Sequence, residues 1–310
     1  MMKPNFLILF FFLSLISFSS CESRSKQNRA KKNSSKSIIK PEEVNKKKLP
    51  RNNKNPSTLT IATWNIRDLG RTKDSLEILQ IAKIIKDFDV VAIQEVVAKD
   101  PAGAQAVAKI SDELNRMGSK WDYSISDSTK SPSANISERY AFLWKTSKVK
   151  LVKKPYLDKE LEDLCFREPY IAKFKLKKGE ETFYVINYHS RKHYDKPEEE
   201  IVHFKKIPKR LDSNRIFILG DFNLTEEHKV WGDLYNLGFK PSLTNTPTTL
   251  KIKCKNGNYF NYAIDNIFFN STNIEIVNSG RIDFVKNCEN LKTARYISDH
   301  LPVFMEWKVN

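Results

Sequence analysis

Short apolar runs, each closed by or set beside Asn, Asp, Glu or His, recur along this chain. They stand at Thr63-Trp64-Asn65, Ile93-Gln94-Glu95, Tyr188-His189-Ser190, Leu219-Gly220-Asp221-Phe222-Asn223 and Ile297-Ser298-Asp299-His300-Leu301-Pro302. Runs this short and this apolar read as buried strands rather than helices. The strand ends of a packed sheet can bring carboxylates and imidazoles to one point. Carboxylate and amide oxygens suit a hard divalent cation such as Mg²⁺, and two histidines suit proton transfer. Together these are the requirements for hydrolysing a phosphodiester.

Taken singly, each placement has a plainer explanation. Asp221 and Asn223 after Gly220 fit an Asx-type turn, with the glycine allowing a sharp bend. Glu95 fits a strand-end carboxylate, and Asn65 a turn residue. Their joint occurrence with Asp299-His300 favours a hard-ligand set of Asn65, Glu95, Asp221, Asn223 and Asp299. His189 and His300 each have an acidic candidate elsewhere, Glu138 before Arg139-Tyr140 and Asp265 within Ala263-Ile264-Asp265-Asn266. A carboxylate accepting a ring N–H fixes the tautomer and raises the basicity of the imidazole. Two such pairs would supply one base and one acid. His193, His203 and His228 lack this setting and read as surface residues. Arg167, in Arg167-Glu168-Pro169, could fork two hydrogen bonds to a phosphate, or form a structural ion pair.

The chain has 310 residues and a net charge of +16, which suggests an anionic partner. The excess is unevenly placed. Twelve Lys/Arg against three Glu put +9 between Glu22 and Ser57, Lys3 adds one, and the remainder carries +6. Residues 22–57 are rich in Lys, Ser and Asn without periodicity and read as a disordered basic linker, able also to hold an acidic surface or nucleic acid. Ahead of it, 6–18 is an apolar run broken only by Ser14 and Ser17, shorter than the ~20 residues a membrane span needs and of signal-peptide length. Phe18-Ser19-Ser20-Cys21 resembles a bacterial lipoprotein signal lipidated at Cys21. An ordinary secretory signal cut near Ser20, or a chance apolar start on a cytoplasmic protein, are the alternatives. Of the other cysteines, Cys165, Cys254 and Cys288, an exported domain leaves at least one unpaired within a monomer. A Cys254–Cys288 bridge and three reduced thiols both remain open, and the spacings do not resemble a zinc site.

From residue 58 strands and helices alternate. Helical spacing predicts helices over 75–87 (Asp74 as N-cap), 102–117, 197–211 with an acidic start, and 226–237 ended by Gly238. Strands are expected over 59–64, 89–94, 121–126, 140–144, 170–176, 183–188, 216–219, 263–269, 274–277 and 303–307. The two halves share this coarse pattern, which fits two sheets packed face to face with helices on both outer faces.

These residues resemble the endonuclease/exonuclease/phosphatase superfamily and, within it, the deoxyribonuclease I-like branch. The motifs are Trp64-Asn65-Ile66-Arg67, Gln94-Glu95-Val96, the Glu138–Leu143 run, Arg167-Glu168-Pro169, His189-Ser190, Gly220-Asp221-Phe222-Asn223, Tyr262-Ala263-Ile264-Asp265 and Ser298-Asp299-His300-Leu301-Pro302. The resemblance spans most of 58–309, and the lipoprotein-like start is similar to that of bacterial membrane nucleases of that branch. It implies a four-layer α/β/β/α sandwich of two mixed sheets as a catalytic domain over 58–310. It implies that Asn65, Glu95, Asp221, Asn223 and Asp299 lie around Mg²⁺ or Mn²⁺ and the scissile phosphate, with Ca²⁺ as a structural or co-activating ion. Glu138 would pair with His189, Asp265 with His300, and Arg67 and Arg167 would touch phosphate or DNA. Two departures stand out. Val97-Ala98 occupies the place of an Arg, and Ile136 the place of a Tyr, that enter the DNA minor groove in relatives.

The expectation is a monomeric, metal-dependent nuclease held outside the cytoplasm, cutting DNA and, as a second substrate, RNA. A phosphodiesterase acting on lipid or small phosphoesters, and an idle module that binds nucleic acid or membrane, are the alternatives.

Overall fold

Period-two alternation sorts the buried strand residues between two interfaces, and this sorting sets the architecture. The computed structural model describes residues 58–211 and 213–309. The expectations placed on 1–57, the signal with Cys21 and the basic linker, lie outside the described residues. In chain order the principal elements are β1 (Thr58–Leu69), α1 (Ser75–Ile85), β2 (Val90–Val97), α2 (Ala102–Arg116), β3 (Trp121–Ile125), β4 (Glu138–Lys145), β5 (Val149–Leu151), β6 (Tyr156–Leu157), β7 (Tyr170–Leu176) and β8 (Thr182–His189). There follow α3 (Glu198–Ile201), α4 (Ile207–Arg210), β9 (Ile216–Asp221), α5 (Gly232–Asn236), β10 (Phe239–Pro241), β11 (Leu250–Lys255), β12 (Asn258–Phe260), β13 (Asp265–Asn270), β14 (Ile276–Arg281), α6 (Leu291–Ile297) and β15 (Val303–Lys308).

One sheet runs β14-β15-β1-β2-β4-β3 and the other β10-β13-β9-β8-β7-β5, with β6 also on β7. Each has a single parallel pair near its centre, β1 with β2 and β8 with β9, flanked by antiparallel strands. Three apolar clusters separate four layers. Leu59 and Ile61 of β1, Phe142 of β4, Phe174 of β7, Phe217 and Leu219 of β9 and Trp307 of β15 fill the space between the sheets. The neighbours on the other face, such as Trp64, Ile66, Val91 and Ile93, pack on α1, α2 and α6. On the far side Ile186, Ile216, Ile218 and Phe268 pack against Ile201, Phe204, Ile207 and Leu234. The four-layer α/β/β/α sandwich of mixed sheets is therefore the observed fold. No helix among the described residues is long and apolar enough to cross a membrane.

Several local expectations change. The helix over 197–211 is instead two single turns, α3 and α4, joined by a 3₁₀ turn at Phe204–Lys206. Its apolar anchors Ile201, Phe204 and Ile207 recur every three residues, which suits three-per-turn geometry better than a continuous α-helix. The helix over 226–237 begins only after His228, and Gly238 ends it with φ +84°. Helix α6 lies outside the four helices that the spacing predicts. Asp74 does cap α1, in a capping box with Glu77. Cys254 and Cys288 form a disulfide that ties β11 to the loop before α6, and Cys165 is buried and free.

Candidate active site

The inward faces of β1, β8, β9 and β13 are apolar toward one end and polar at the other. Leu59 and Ile61 are followed on the same face by Thr63 and Asn65; Phe183 and Val185 by Asn187 and His189; Phe217 and Leu219 by Asp221; and Ile267 and Phe269 are preceded by Asp265. Register then fixes a row in the second sheet. Asp221 stands opposite His189 on its parallel neighbour β8 and opposite Asp265 on its antiparallel neighbour β13.

Gly220 allows this row. Its φ is +145°, and a Cβ there would lie 1.7 Å from the carbonyl oxygen of Tyr188. The expected sharp turn is thus a close approach inside a strand, which only glycine permits.

The first sheet supplies the facing groups. Glu138 lies buried at the start of β4, with its Oε2 3.0 Å from His189 Nδ1. His300, between α6 and β15, sets its Nδ1 3.1 and 3.0 Å from the two Asp265 oxygens. Both free imidazole nitrogens turn to the same atom: His189 Nε2 is 3.5 Å and His300 Nε2 3.7 Å from Asp221 Oδ2. Asn65 Nδ2 donates to that oxygen at 3.1 Å and to Glu95 Oε1 at 3.0 Å.

Glu95 reaches this point through irregular backbone. Strand alternation alone would aim it at the helix layer with Ile93. The β2–β4 register shifts between Ile93 and Val96, and Glu95 adopts φ +60°. Such a bulge re-aims a side chain, and a non-glycine residue in the left-handed region is held there by its surroundings. Its other oxygen accepts from the Asp68 backbone at 3.1 Å. Asn223 also has positive φ, and its N–H donates to Asp221 Oδ1 at 2.9 Å.

Arg167 and Asp299 also line the cleft, but each is engaged by other groups. The Arg167 guanidinium is buried and donates to the backbone carbonyls of His189 (3.0 Å), Ile136 (3.3 Å) and Ser190, 3.7 Å from Glu138. Much of the fork expected to grip phosphate is spent on backbone carbonyls at the end of β8 and in the loop after it. Asp299 turns outward to Arg295 (3.3 Å) and Arg67 (3.8 Å), rather than joining Asp221. Arg67 is half-exposed at the cleft mouth, where Asp299 and Asn223 also line the walls.

Burial works against charge throughout, and the neighbours decide the outcome. For Glu138 burial would raise the carboxyl, but the His189 and Arg167 charges hold it below the usual range. For His189 burial and Arg167 oppose protonation, yet Glu138 and Asp221 leave the imidazole raised. His300 is lifted to about 10: burial opposes this, and Asp265 and Asp221 outweigh it. Burial pushes the Asp265 carboxyl up, against the opposing pull of His300.

Thr248 and Asn187 contribute from outside the quoted motifs, and Ser298 from within the run that ends in Pro302. Thr248 Oγ donates to Asp265 Oδ2 at 2.6 Å, and Ser298 Oγ to the Asn65 carbonyl at 2.7 Å. Asn187, wholly buried, accepts from Gln94 Nε2 at 2.6 Å and donates to the Ile93 and Ala141 carbonyls at 3.0 and 3.2 Å.

The donor set fits a hard cation. Asn65 Oδ1 is buried without a hydrogen-bond partner, and its amide nitrogen sits between two carboxylates. Such an orphaned oxygen calls for a ligand. Asp221, Asp265 and His300 also lie close enough to hold an ion, but the Asp265–His300 hydrogen bond already joins two of them. Asn65, Glu95 and Asp221 are the better candidates.

The model of the Endonuclease/Exonuclease/phosphatase family matches residues 62–300. The chain is 27% identical over 204 residues to a deoxyribonuclease of Thioalkalivibrio sp. (strain K90mix), covering 62% of this chain and 53% of that one. It is 32% identical over 177 residues to deoxyribonuclease-1 of Rattus norvegicus, covering 54% and 61%. It thus spans less than two thirds of the length of either relative. Among solved structures, family proteins from Bacteroides vulgatus (TM-score 0.59, 18% identity, covering 82% and 99%) and Bacteroides thetaiotaomicron (0.57, 17%, 82% and 98%) share the fold.

Proposed function

Since the chain belongs to the endonuclease/exonuclease/phosphatase family, we propose that it is a monomeric nuclease that hydrolyses phosphodiester bonds in DNA, with RNA as a second substrate, using Mg²⁺ or Mn²⁺. The observation that carries this reading is the convergence of two imidazole Nε2 atoms on Asp221 Oδ2, each imidazole backed by its own carboxylate. Deoxyribonucleases among its relatives support the choice of substrate.

Nδ1 of each histidine is engaged by a carboxylate, so Nε2 is the working nitrogen. One Nε2 takes the proton of the attacking water, and the other returns a proton to the leaving oxygen. Asp221 orients both rings and stabilises whichever is charged. Asn223 and Arg67, at the cleft wall, face the phosphate. Asn65, Glu95 and Asp221 would hold the cation, which when bound offsets charge on the non-bridging phosphate oxygens.

The apolar start and Cys21 support a lipid-anchored position outside the cytoplasm. Cys21→Ser should release the protein from the membrane fraction; retention there would reject the anchor. The activity is tested by incubating the protein with plasmid DNA, RNA and sphingomyelin, in Mg²⁺ or in EDTA. Metal-dependent loss of plasmid is the expected result. Turnover of sphingomyelin alone would move the substrate to lipid, and no turnover of any would make the chain a binding module.

A further inference from the structure

We propose that the cleft rim carries a base-stacking platform, His193, Tyr194 and Tyr262 with Lys192 beside it, which selects single-stranded polynucleotide. This rests on the nuclease reading and names the form of substrate that site takes.

The observation is a cluster of rings left open to solvent beside the hydrolytic centre. Tyr194 is 65% exposed and Tyr262 60% exposed. The His193 ring meets Tyr194 edge to face at 5.1 Å and lies 6.5 Å from Tyr262, tilted by 31°, so three rings from two distant segments cluster at the rim. Lys192 Nζ is 5.8 Å from the Tyr194 ring. Lys192, His193 and Tyr194 line the same cleft, of about 550 Å³, as His189, Asp221 and His300.

Scattered exposed aromatics are ordinary. These are grouped, and their backbones are fixed. The Tyr262 carbonyl accepts from Thr248 N (2.6 Å) and Thr249 N (3.1 Å), and its N–H donates to Thr249 Oγ at 2.8 Å. The turn bearing Tyr194 closes with Asp195 N donating to the Lys192 carbonyl at 2.8 Å, and Arg191 bonds the Asp195 carbonyl at 3.3 Å. Rings on a fixed frame lose little freedom when a flat partner lands on them.

With a phosphate at the paired histidines, the chain of a polynucleotide leads the next bases past this rim. Every base offers a π-face, so stacking holds a strand without reading its sequence, and a nearby lysine meets the backbone. A duplex has its base faces covered by their neighbours.

Two measurements on the full chain test this. In EDTA, oligonucleotides carrying 2-aminopurine report stacking by fluorescence quenching without turnover. In Mg²⁺, kcat/KM is compared for single-stranded DNA, single-stranded RNA and duplex DNA of one sequence. The wild-type chain should quench single strands and cut DNA or RNA single strands at least about tenfold better than duplex. Tyr194→Ala with Tyr262→Ala should weaken single-strand binding about tenfold or more at unchanged Tm, and Tyr194→Phe with Tyr262→Phe should restore it. Equal cutting of single strands and duplex, or unaltered binding by the Ala pair, would overturn the platform while leaving the nuclease reading intact. Quenching without cleavage of any polynucleotide would instead reject the nuclease reading and retain the platform.

Discussion

Replacing Asn187 by Leu should cost this protein both stability and activity, and the structure supplies the size. The side chain is wholly buried between the sheets and makes three hydrogen bonds. Leucine matches its shape but meets none of them. The Ile93 and Ala141 carbonyls and the Gln94 amide each lose a partner, although Gln94 keeps Thr63 Oγ at 2.9 Å. A buried polar group left short costs ~1–3 kcal/mol. With one of the three partly retained, about 2–5 kcal/mol is expected, a large share of the ~5–15 kcal/mol that holds a domain together. Ile93 is the last residue before the bulge that aims Glu95, so kcat should also fall under conditions where the variant is still folded. Urea unfolding should show the midpoint lowered by about 1 M or more. A cycle with Gln94→Leu should show the double variant less destabilised than the two singles together, because the pair shares one bond. If Asn187→Leu lies within ~0.5 kcal/mol of wild type, these bonds do not join the sheets as argued.

His189→Ala and His300→Ala should each lower kcat at least ~10²-fold on the favoured polynucleotide, the usual scale of general acid–base help; near wild-type turnover in either removes that histidine from the chemistry. Glu95→Ala and Asp221→Ala should weaken Mg²⁺ or Mn²⁺ binding by calorimetry, since each removes charge beside the orphaned Asn65 oxygen, and unchanged affinity in both would reject them as ligands. A second groove, of about 680 Å³, shares Arg67 and Asp68 with the cleft and includes Lys253 and Lys292. Lys253→Ala with Lys292→Ala should flatten the salt dependence of single-stranded DNA binding by up to ~0.7 per lost phosphate contact, and an unaltered slope would place the strand elsewhere. Burial pushes the Cys165 thiol well up, so it should resist iodoacetamide at pH 8 until global unfolding; labelling of the folded protein would show that the pocket opens locally.

Asn65, Glu138, His189, Asp221, Asp265 and His300 stood out in the sequence because strand alternation and position at a strand end are local properties. The direction of Glu95 was not legible, since it depends on a bulge that reverses the alternation. Asn187 reads as a weak strand residue until the opposite sheet is in place. The Arg167 fork is compatible with phosphate or with carbonyls, and only the path of β8 and the loop after it decides. Helices fared worst where they were shortest: one turn of three-residue spacing and one turn of α-helix share most of their apolar positions, and tertiary packing chooses between them.

Each proton-handling pair crosses from one sheet to the other. Glu138 of the first sheet holds His189 of the second, and Asp265 of the second holds His300, which enters the first. Asn65 reaches Asp221 across the same gap, and Gln94 reaches Asn187. The distance between these partners is therefore set by the slab between the sheets, where Phe183, Phe217 and Trp307 pack with ring centroids 5.1 to 5.9 Å apart. Buried ion pairs contribute little net stability, because desolvation offsets their attraction. Their physical return here is position: an apolar slab sets the spacing without specifying orientation, and polar struts at one end convert that spacing into fixed imidazole geometry. A site assembled this way is tuned from the core as well as from the cleft, since a displacement of about 1 Å between the sheets is enough to separate a base from its proton.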